Sequence, residues 1–510
     1  MATEARGAAG TPAAADLAEG SRPHLGARKL TTLHAVGQAL AIGPIFSVGL
    51  VSGLVASVAG YSTPLAILLG SIGSLGLAYV IAVYARRYAG AGAIFEYLSH
   101  AVHNSFGIFS AGVYLLGTLF LGAGGIYIGL GFLVQGFFQA HIHTSVPWWM
   151  GGAIALAIVF LLNHYGVRLA IRGVLILATV SAIPFLLLAI VIIAKGGVGG
   201  NTLAVFGTGS SSWNAVFNGI LFAVTLFIGF EAAASIAEET ENPRRSIPLA
   251  VVGAVALSAV FYLIVTYAAT IGFGKAALAK NAWFASASPM GDLATTYVGN
   301  WLSVVVDLVI ILDALSLSIA IMVTGSRIIF ALGRDGLLPR FAARTSRHDT
   351  PIFGNLAIVI WSVLLLIWAG TTNYGKTVNL PDPIEAFFIT TSTGSLLVEL
   401  IYVFLALFAI RLVWASRSEG GLWWKMIAVL LGLATPILAF KGALDPFPPF
   451  PANRAVFFAI ACIVISAVWY AILQLTRPEQ VRLAARHAIE HHGVPALDEP
   501  LPAGTDPPAR

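Results

Sequence analysis

Charged side chains are scarce in this chain of 510 residues. Aspartate, glutamate, lysine and arginine make up 10% of it, whereas 58% of the residues are hydrophobic and the mean hydropathy is +0.87. A soluble globular protein carries roughly 25% charged and about 45–50% apolar residues. So few charges cannot cover a water-facing surface at this length. The composition therefore excludes a soluble enzyme, a nucleic-acid-binding protein and a disordered scaffold, and it predicts a protein embedded in a lipid bilayer.

Cysteine is almost absent as well, because Cys462 is the only one. A single cysteine excludes an intramolecular disulfide framework and a cysteine-based zinc site. The sequence also lacks a Walker A loop, a Ser-His-Asp constellation and a His/Glu metal pair. We therefore expect no cofactor and no metal ion. The net charge of +5 does not indicate nucleic-acid binding, since the basic residues lie between apolar runs.

Long apolar segments fill most of the chain. A helix needs about 20 mostly apolar residues to cross a hydrocarbon core of roughly 30 Å, and its backbone satisfies its own hydrogen bonds in lipid. No stretch alternates with period two as a barrel strand would. The sequence predicts an all-α polytopic membrane protein with twelve spans, numbered 1 to 12, at approximately 33–58, 64–85, 106–138, 148–164, 173–194, 213–236, 247–273, 300–326, 353–370, 384–410, 421–440 and 454–475.

The two ends and the basic residues predict the orientation. Residues 1–29 and 476–510 lack an apolar core and are predicted to be cytoplasmic tails rather than a cleaved signal peptide. Lysine and arginine accumulate in cytoplasmic loops of membrane proteins. If the N-terminus is placed in the cytoplasm, 22 of the 28 basic residues fall on that side. Both termini are therefore expected to be cytoplasmic.

Two spans carry features that an uninterrupted membrane helix avoids. In span 1, Gly43 and Pro44 lie near the middle, and Pro44 should kink or open the helix. In span 6, Gly229 lies beside Glu231, and a carboxylate at mid-membrane should face protein or a water-filled cavity. Interruptions at matching positions of two repeats point to a transporter's binding site. The alternative is that these residues only kink or pack the helices.

Four motifs resemble one membrane-protein family. GFEAAASIAEETENPRRSIPLAV at 229–251 is similar to the span 6 pattern of the amino acid–polyamine–organocation permeases. SRIIFALGRDGLLPRF at 326–341 resembles the loop after span 8 of that family. VYARRYAGAGAIFEYL at 83–98 and NHYGVRLAIRG at 163–173 resemble two further loops. The resemblance covers about residues 30–475.

The resemblance implies a LeuT-type fold. In that fold, spans 1–5 (about 33–194) and spans 6–10 (about 213–410) form a 5+5 inverted repeat, and spans 11 and 12 (about 421–475) are peripheral. The breaks in spans 1 and 6 hold the substrate, because a half-helix N-terminus receives an anionic group and unwound carbonyls receive a cationic one. The substrate-binding residues that this resemblance implies are Ile42, Gly43, Pro44, Ile45, Phe46, Phe227, Ile228, Gly229 and Phe230.

The sequence departs from the family at two places. The family pattern in span 1 is similar to Gly-Ser-Gly-Ile-Phe, whereas residues 42–46 read IGPIF. The serine hydroxyl is lost, and Pro44 removes an N–H that could hold a carboxylate, which leaves room for an amine without one. Some proton-coupled members carry a lysine in span 5, and Ser181 aligns with it. The family's coupling mechanism therefore cannot be carried over.

Acidic residues within the spans are candidates for coupling. Glu231 is either a functional acid or an acceptor for backbone N–H groups, and Asp313 is either a proton carrier, which we favour, or a counter-charge to a substrate amine. Asp307 and Asp313 lie about 240° apart around the helix and cannot share one face. For Glu399 in span 10 a structural ion pair is the favoured interpretation.

The cytoplasmic end of span 6 carries charges of both signs. Glu239 and Arg245 belong to this group and are candidates for an inner gate whose ion pairs break as the site opens. The alternative is a solvated helix end with arginines that set topology.

The leading hypothesis is a secondary active transporter in the cell membrane. It would move amino acids by alternating access, as a symporter or exchanger, with a small-molecule substrate and a coupling ion, expected to be a proton, as its partners. A polyamine or other organocation is the alternative substrate. A polytopic membrane enzyme or scaffold is a further alternative, but the longer loops offer no nucleophile, metal site or phosphate loop. The sequence leaves the oligomeric state and the direction of transport open.

Overall fold

The computed structural model describes residues 30–40, 43–88, 94–102, 104–165, 167–209, 211–348, 350–378, 380 and 383–481. In this part of the chain there is no β-strand, and two isolated bridges, Leu30 with Thr240 and Thr345 with Pro351, are its only β contacts. Residues 1–29 and 482–510 of the predicted tails lie outside the described residues, and so does Ile42.

Within the described residues, twelve long helices follow one another in the predicted order and keep the span numbers given above. Short helices at Ile94–Ala101, Ala282–Ala285 and Pro289–Tyr297 lie between them. The bounds are Thr32–Ala39 and 44–59 (spans 1a and 1b), Thr63–Ala85 (2), 104–142 (3), Trp148–Tyr165 (4), Val167–Lys195 (5), Trp213–Thr225 and Phe230–Glu239 (6a and 6b), Pro243–Leu278 (7), Asn300–Arg334 (8), Ile352–Thr371 (9), Ile384–Ala415 (10), Leu422–Leu444 (11) and Arg454–Thr476 (12).

The hydrophobicity of these helices confirms a polytopic membrane protein. Ten described helical stretches are long and apolar enough to cross a membrane, and the first, Thr32–Ala85, contains spans 1 and 2 together. Span 5 contributes a shorter apolar helix, Val180–Lys195. The inverted repeat, the tail domains and the cytoplasmic location of both termini remain predictions.

Burial separates a central group of helices from peripheral ones. The most apolar stretch of span 6 has 94% of its residues buried within the protein, whereas that of span 12 has 22%. Large apolar side chains such as Trp423 and Leu475 are exposed on spans 11 and 12, where lipid can cover them. Span 6, with its predicted break, therefore lies inside the bundle.

Small residues allow the closest helix contacts. Gly73 and Gly76 of span 2 face span 11, where Cβ atoms added to them would collide with the Thr435 side chain and with the backbone of Ala428 and Gly432. Small residues let membrane helices approach closely and gain dispersion energy without a hydrophobic driving force. Gly73 and Gly76 thus allow span 2 to pack closely against span 11.

Candidate functional site

Span 1 is broken where the sequence predicts. Span 1a ends at Ala39, and span 1b begins at Pro44 after Gly43, which has a φ of +57°. This left-handed conformation suits glycine, and a Cβ there would also come within 2.9 Å of Leu317. Pro44 occupies the first helical position, where the missing N–H has no intrahelical partner in any case. Gly43 and Pro44 therefore start a new helix inside the bundle.

The N-terminus of span 1b is capped by an acid from span 8. Both the Ile45 and the Phe46 N–H groups donate to Oδ2 of Asp313, each over 2.9 Å. Asp313 is 1% exposed. A helix N-terminus favours a negative charge, because its free N–H groups and the helix dipole point the same way. The carboxylate of Asp313 thus occupies the position at the N-terminus of span 1b where an anionic ligand could otherwise bind.

Span 6 is broken at the corresponding place. Span 6a ends at Thr225, and span 6b begins at Phe230 as a 3₁₀-helix after Gly229, whose φ is +119°. The carboxylate of Glu231 folds back onto this break. Its Oε2 accepts the Gly229 N–H over 3.0 Å, and its Oε1 accepts the Tyr114 hydroxyl over 2.8 Å. Glu231 therefore stabilises the break and remains next to it.

A cavity with about 610 Å³ of atom-free space, its opening included, lies between the two breaks. Spans 1, 3, 6, 8 and 10 supply its walls. Among the described residues of the lining, Glu231 is the only acid, and there is no lysine, arginine or histidine. Its remaining polar side chains are Ser47, Tyr114, Thr118, Thr225, Thr324 and Thr391, and its large apolar ones include Phe46, Val51, Leu121, Leu317, Ile321 and Phe387. The lining is thus mostly apolar, with several hydroxyl groups and one carboxylate.

The substrate-binding residues predicted from the sequence meet around this cavity to different extents. Phe46, Ile228 and Gly229 line it directly. Pro44, Ile45, Phe227 and Phe230 are buried behind the lining. The Phe227 and Phe230 rings pack on Tyr262 and Tyr402, with centroids 4.9 and 5.8 Å apart. Gly43 contacts Leu317, and Ile42 lies outside the described residues.

The predicted inner-gate residues separate in the structure. Glu239 at the end of span 6b forms a buried ion pair, but its partner is Arg327 of span 8, with Nη2 and Oε1 2.7 Å apart. Arg245 is exposed. The backbone of Leu30 is hydrogen-bonded to the same end of span 6b. Its N–H donates to the Glu239 carbonyl, and its carbonyl accepts the Glu241 N–H. The gate candidates that the structure brings together are therefore Glu239 and Arg327.

The opposite end of span 8 carries a second buried polar group. Asp307 accepts from the Ser288 hydroxyl and lies 2.8 Å from His141 Nε2 at the end of span 3. In the loop helix nearby, burial raises the pKa of Asp292, although a hydrogen bond from Ser286 partly offsets it. Nowhere in the described chain do three or more His, Cys, Asp or Glu side chains cluster so that they could hold a metal ion.

Sequence reasoning did not select several residues of this site. Tyr114 and Tyr402 are ordinary aromatic positions in apolar spans, and no local pattern marks them. The motif at 326–341 predicts that Arg327 lies in the loop after span 8, whereas span 8 continues to Arg334. No local pattern links His141 to Asp307, 166 residues further along the chain. The place of these residues in the site follows only from the contacts that the fold makes between distant spans.

Comparisons with known proteins agree with this architecture. Residues 32–473 match the family described as "Amino acid permease". The chain is 23% identical to a branched-chain amino acid permease of Lactococcus lactis, over 37% of this chain and 40% of that protein, and 27% identical to one of Bacillus subtilis, over 29% and 33%. It is 26% identical to a "Probable polyamine transporter" of Arabidopsis thaliana, over 41% and 40%.

These matches cover less than half the length of each of those relatives. A solved structure of a manganese transporter mutant from Eremococcus coleocola superposes with a TM-score of 0.53 at 12% identity, and the match covers 89% of this chain and 95% of that one. This likeness shows a shared fold. The family match spans almost all the described residues, and the chain belongs to the amino acid permease family, whose members are transporters and not enzymes.

Proposed function

We propose that this protein is a secondary active transporter that carries a small amine-bearing solute across the cell membrane by alternating access. One observation carries this proposal: the breaks in spans 1 and 6 border one cavity, and the only charged side chain among its described lining residues is the carboxylate of Glu231. Paired helix breaks at the centre of a bundle place backbone dipoles and carbonyls around a solute. The substrate-binding residues are those of the two breaks.

The amine of the solute binds near Glu231. Since the lining contains no basic group, an ammonium group neutralises a charge that otherwise has only dipolar partners. Those partners are the Gly229 N–H and the Tyr114 hydroxyl. A charged hydrogen bond in such a site is roughly twice as strong as a neutral one, so the ammonium group gives the solute its orientation.

The first candidate substrate is an amino acid with an aliphatic side chain. Val51, Leu317 and Ile321 provide an apolar wall that suits such a side chain. Two of the relatives are named branched-chain amino acid permeases. The carboxylate of the amino acid needs N–H donors, and the N-terminus of span 1b has those of Ile45 and Phe46.

Coupling to a proton follows because the carboxylates of Asp313 and of the solute compete for the same two N–H groups. Asp313 holds the Ile45 and Phe46 N–H groups. A proton on Asp313 removes its charge and weakens both bonds, which releases the N–H groups toward the carboxylate of the solute. The proton and the amino acid then bind together. Asp313 is the coupling residue in this scheme, and Glu239 with Arg327 is the inner gate.

The second candidate substrate is an organic cation without a carboxylate. Asp313 already fills the anion position of span 1b, and the lining offers no base. A polyamine or other amine needs neither. One relative carries the name polyamine transporter. On this alternative Asp313 is a permanent helix cap.

Exchange in proteoliposomes distinguishes these possibilities. Vesicles loaded with unlabelled L-leucine or putrescine are diluted into the same labelled solute, and a pH gradient is then imposed. The first candidate predicts that leucine is exchanged, and that leucine accumulates in the vesicles when the outside is more acidic than the inside. The second predicts putrescine exchange. If neither these nor a wider set of amino acids and amines exchanges, the proposed function is wrong.

A further inference from the structure

Asp307 is a membrane acid that lies outside the cavity and is hydrogen-bonded through both of its carboxyl oxygens. Its Oδ2 lies 2.8 Å from Nε2 of His141, and its Oδ1 accepts the Ser288 hydroxyl. The side chains of His141 and Asp307 are 6% and 5% exposed. The ion pair that the sequence favours for Glu399 is, in contrast, not found among the described residues. We call His141, Asp307 and Ser288 the latch.

The latch joins span 3, span 8 and the loop between spans 7 and 8, to which Ser288 belongs. These three segments are in close contact. A Cβ atom added to Gly136 of span 3 would come within 2.6 Å of Ala287 in the loop. A Cβ atom added to Gly291 of the loop would come within 2.7 Å of the Asp307 carboxylate. The latch is therefore a packed junction and not a surface contact.

The loop that carries Ser288 packs on two walls of the cavity. We call residues 282–297, which contain its two short helices, the outer lid. A Cβ atom added to Gly53 of span 1b would lie 3.5 Å from Phe284 of the lid. The ring of Phe284 lies 6.4 Å from that of Phe388 on span 10. Spans 1b and 10 both line the cavity, so the lid lies against it at the end of the bundle that the predicted orientation places outside.

One nitrogen of His141 is free to take up a proton. Its Nδ1 is buried and has no hydrogen-bond partner among the described residues. A neutral imidazole that donates from Nε2 to Asp307 leaves Nδ1 as a proton acceptor. Without that proton, the buried carboxylate has only dipolar partners, and a buried charge without a counter-charge is costly. With the proton, imidazolium and carboxylate form a charge-assisted pair.

We propose that the latch closes the outer lid in response to protons, with His141 as the residue that takes up the proton. One proton from the solution binds at Nδ1, and the net charge of the latch changes from negative to zero. The closed lid is then stable. When the proton leaves, opening of the lid lets water reach the Asp307 carboxylate, so the lid opens more often. This closure controls access to the cavity and goes beyond the transport proposed above.

The charged groups near the latch are few. Asp307 is the charged residue that contacts His141, and His143 at the same end of span 3 is exposed. Asp292 of the lid is hydrogen-bonded within the lid and interacts electrostatically with Asp307. As an anion it favours the same proton on the latch. Lys195 of span 5 donates to the carbonyl at the end of the lid helix.

Cysteine labelling measures the opening of the lid without any solute. Cys462, the natural cysteine, is buried and is replaced by serine. Gly53→Cys then places a thiol beneath the lid, where a Cβ atom makes ordinary contacts. Gly199→Cys provides an exposed reference thiol in open space. Purified full-length protein reacts with a maleimide at about pH 5.5 and about pH 8, on either side of the range in which histidine titrates, and the first labelling rate is divided by the reference rate.

We expect the relative labelling rate of Gly53→Cys to be about fivefold lower at the acidic pH, which is the gain when a hydrogen bond acquires charge. His141→Gln keeps a donor but binds no proton, so it should give the faster rate at both pH values. His143→Asn is the matched control and should keep the pH dependence, because asparagine tolerates the left-handed backbone of this exposed residue. Asp292→Asn should keep it as well.

Three outcomes would overturn the proposal. The first is a relative rate that is equal at both pH values or higher in acid. The second is a thiol at position 53 that reacts at neither pH. The third is a pH dependence that His141→Gln leaves unchanged.

Hydrogen–deuterium exchange provides a second measurement on the chain with its natural cysteine and glycines. After correction for the intrinsic effect of pH on amide exchange, the amides of residues 282–297 should be better protected at the acidic pH. His141→Gln should remove this difference. Equal protection at both pH values in the wild type would contradict the proposal. Neither measurement uses a solute, so a failure here is distinct from a failure of the proposed function.

Discussion

Arg327 and Glu239 join span 8 to the end of span 6b through a single carboxylate oxygen. The Nε and Nη2 groups of Arg327 both donate to Oε1 of Glu239, over 3.0 and 2.7 Å. Arg327 is 2% exposed and Glu239 7%. The pair lies at the end of span 6b to which the backbone of Leu30 is hydrogen-bonded. It therefore joins span 6b, the second half of a broken helix, to the unbroken span 8.

Removal of one partner of this pair should be more harmful than removal of both. A buried charge left without its partner costs about 3–5 kcal/mol, whereas an apolar replacement of the whole pair is often neutral. Glu239→Gln should lower the free energy of unfolding, and Glu239→Gln combined with Arg327→Met should recover part of the loss. The check is a double-mutant cycle from thermal unfolding.

Arg245→Ala is the control for that cycle, because Arg245 is exposed. Exposed substitutions usually change stability by less than about 0.5 kcal/mol. Additive losses in the double mutant, or a loss in Arg245→Ala as large as in Glu239→Gln, would show that the ion pair does not hold the two spans together.

The breaks were predictable from the sequence, but their partners were not. The residue types of Gly43, Pro44 and Gly229 are enough to predict helix breaks in spans 1 and 6. Left-handed φ angles favour glycine, and proline suits the first position of a helix. Asp313 caps span 1b from 268 residues away, and no local rule gives that pairing. The sequence indicates Arg245 as a gate candidate because it is close to Glu239 along the chain, whereas the structure pairs Glu239 with Arg327. The ion-pair partner of a buried charged residue is therefore set by contact between spans and not by closeness along the chain.

Gly229→Leu should abolish transport without preventing membrane insertion. Gly229 has a φ of +119° and lines the cavity. A leucine strains this backbone by about 1–3 kcal/mol and fills space that the solute needs. Uptake and surface expression are measured together. Gly253→Leu is the matched control, because Gly253 is exposed on span 7 with open space around it. Normal uptake by Gly229→Leu would mean that this glycine only packs helices.

Asp313→Asn should separate proton coupling from solute binding. The amide cannot carry the negative charge that holds the Ile45 and Phe46 N–H groups, so pH no longer controls their release. We expect pH-driven accumulation to be lost while exchange continues. Proteoliposome uptake at two external pH values measures this. Weaker equilibrium binding of a cationic solute would instead make Asp313 its counter-charge, and no change at all would make it a structural cap.

The orientation predicts which segments water-soluble reagents can reach. Tags at either terminus, or within residues 345–348 between spans 8 and 9, should be protected in intact right-side-out cells. A tag next to Lys376, between spans 9 and 10, should be accessible because it lies on the other side. Antibody labelling before and after permeabilisation measures both. Labelling of the 345–348 tag in intact cells would contradict the predicted orientation.

Binding at Glu231 is the central claim, and ligand-dependent thermal stabilisation measures it most directly. A solute that binds only the folded protein stabilises it by about 2.7 kcal/mol at 100 times its Kd. Purified wild type and Glu231→Gln are heated with L-leucine, putrescine and related solutes. The account predicts that one solute class raises the Tm of the wild type and that Glu231→Gln loses most of this shift. Equal shifts in both proteins, or none with any solute, would contradict it.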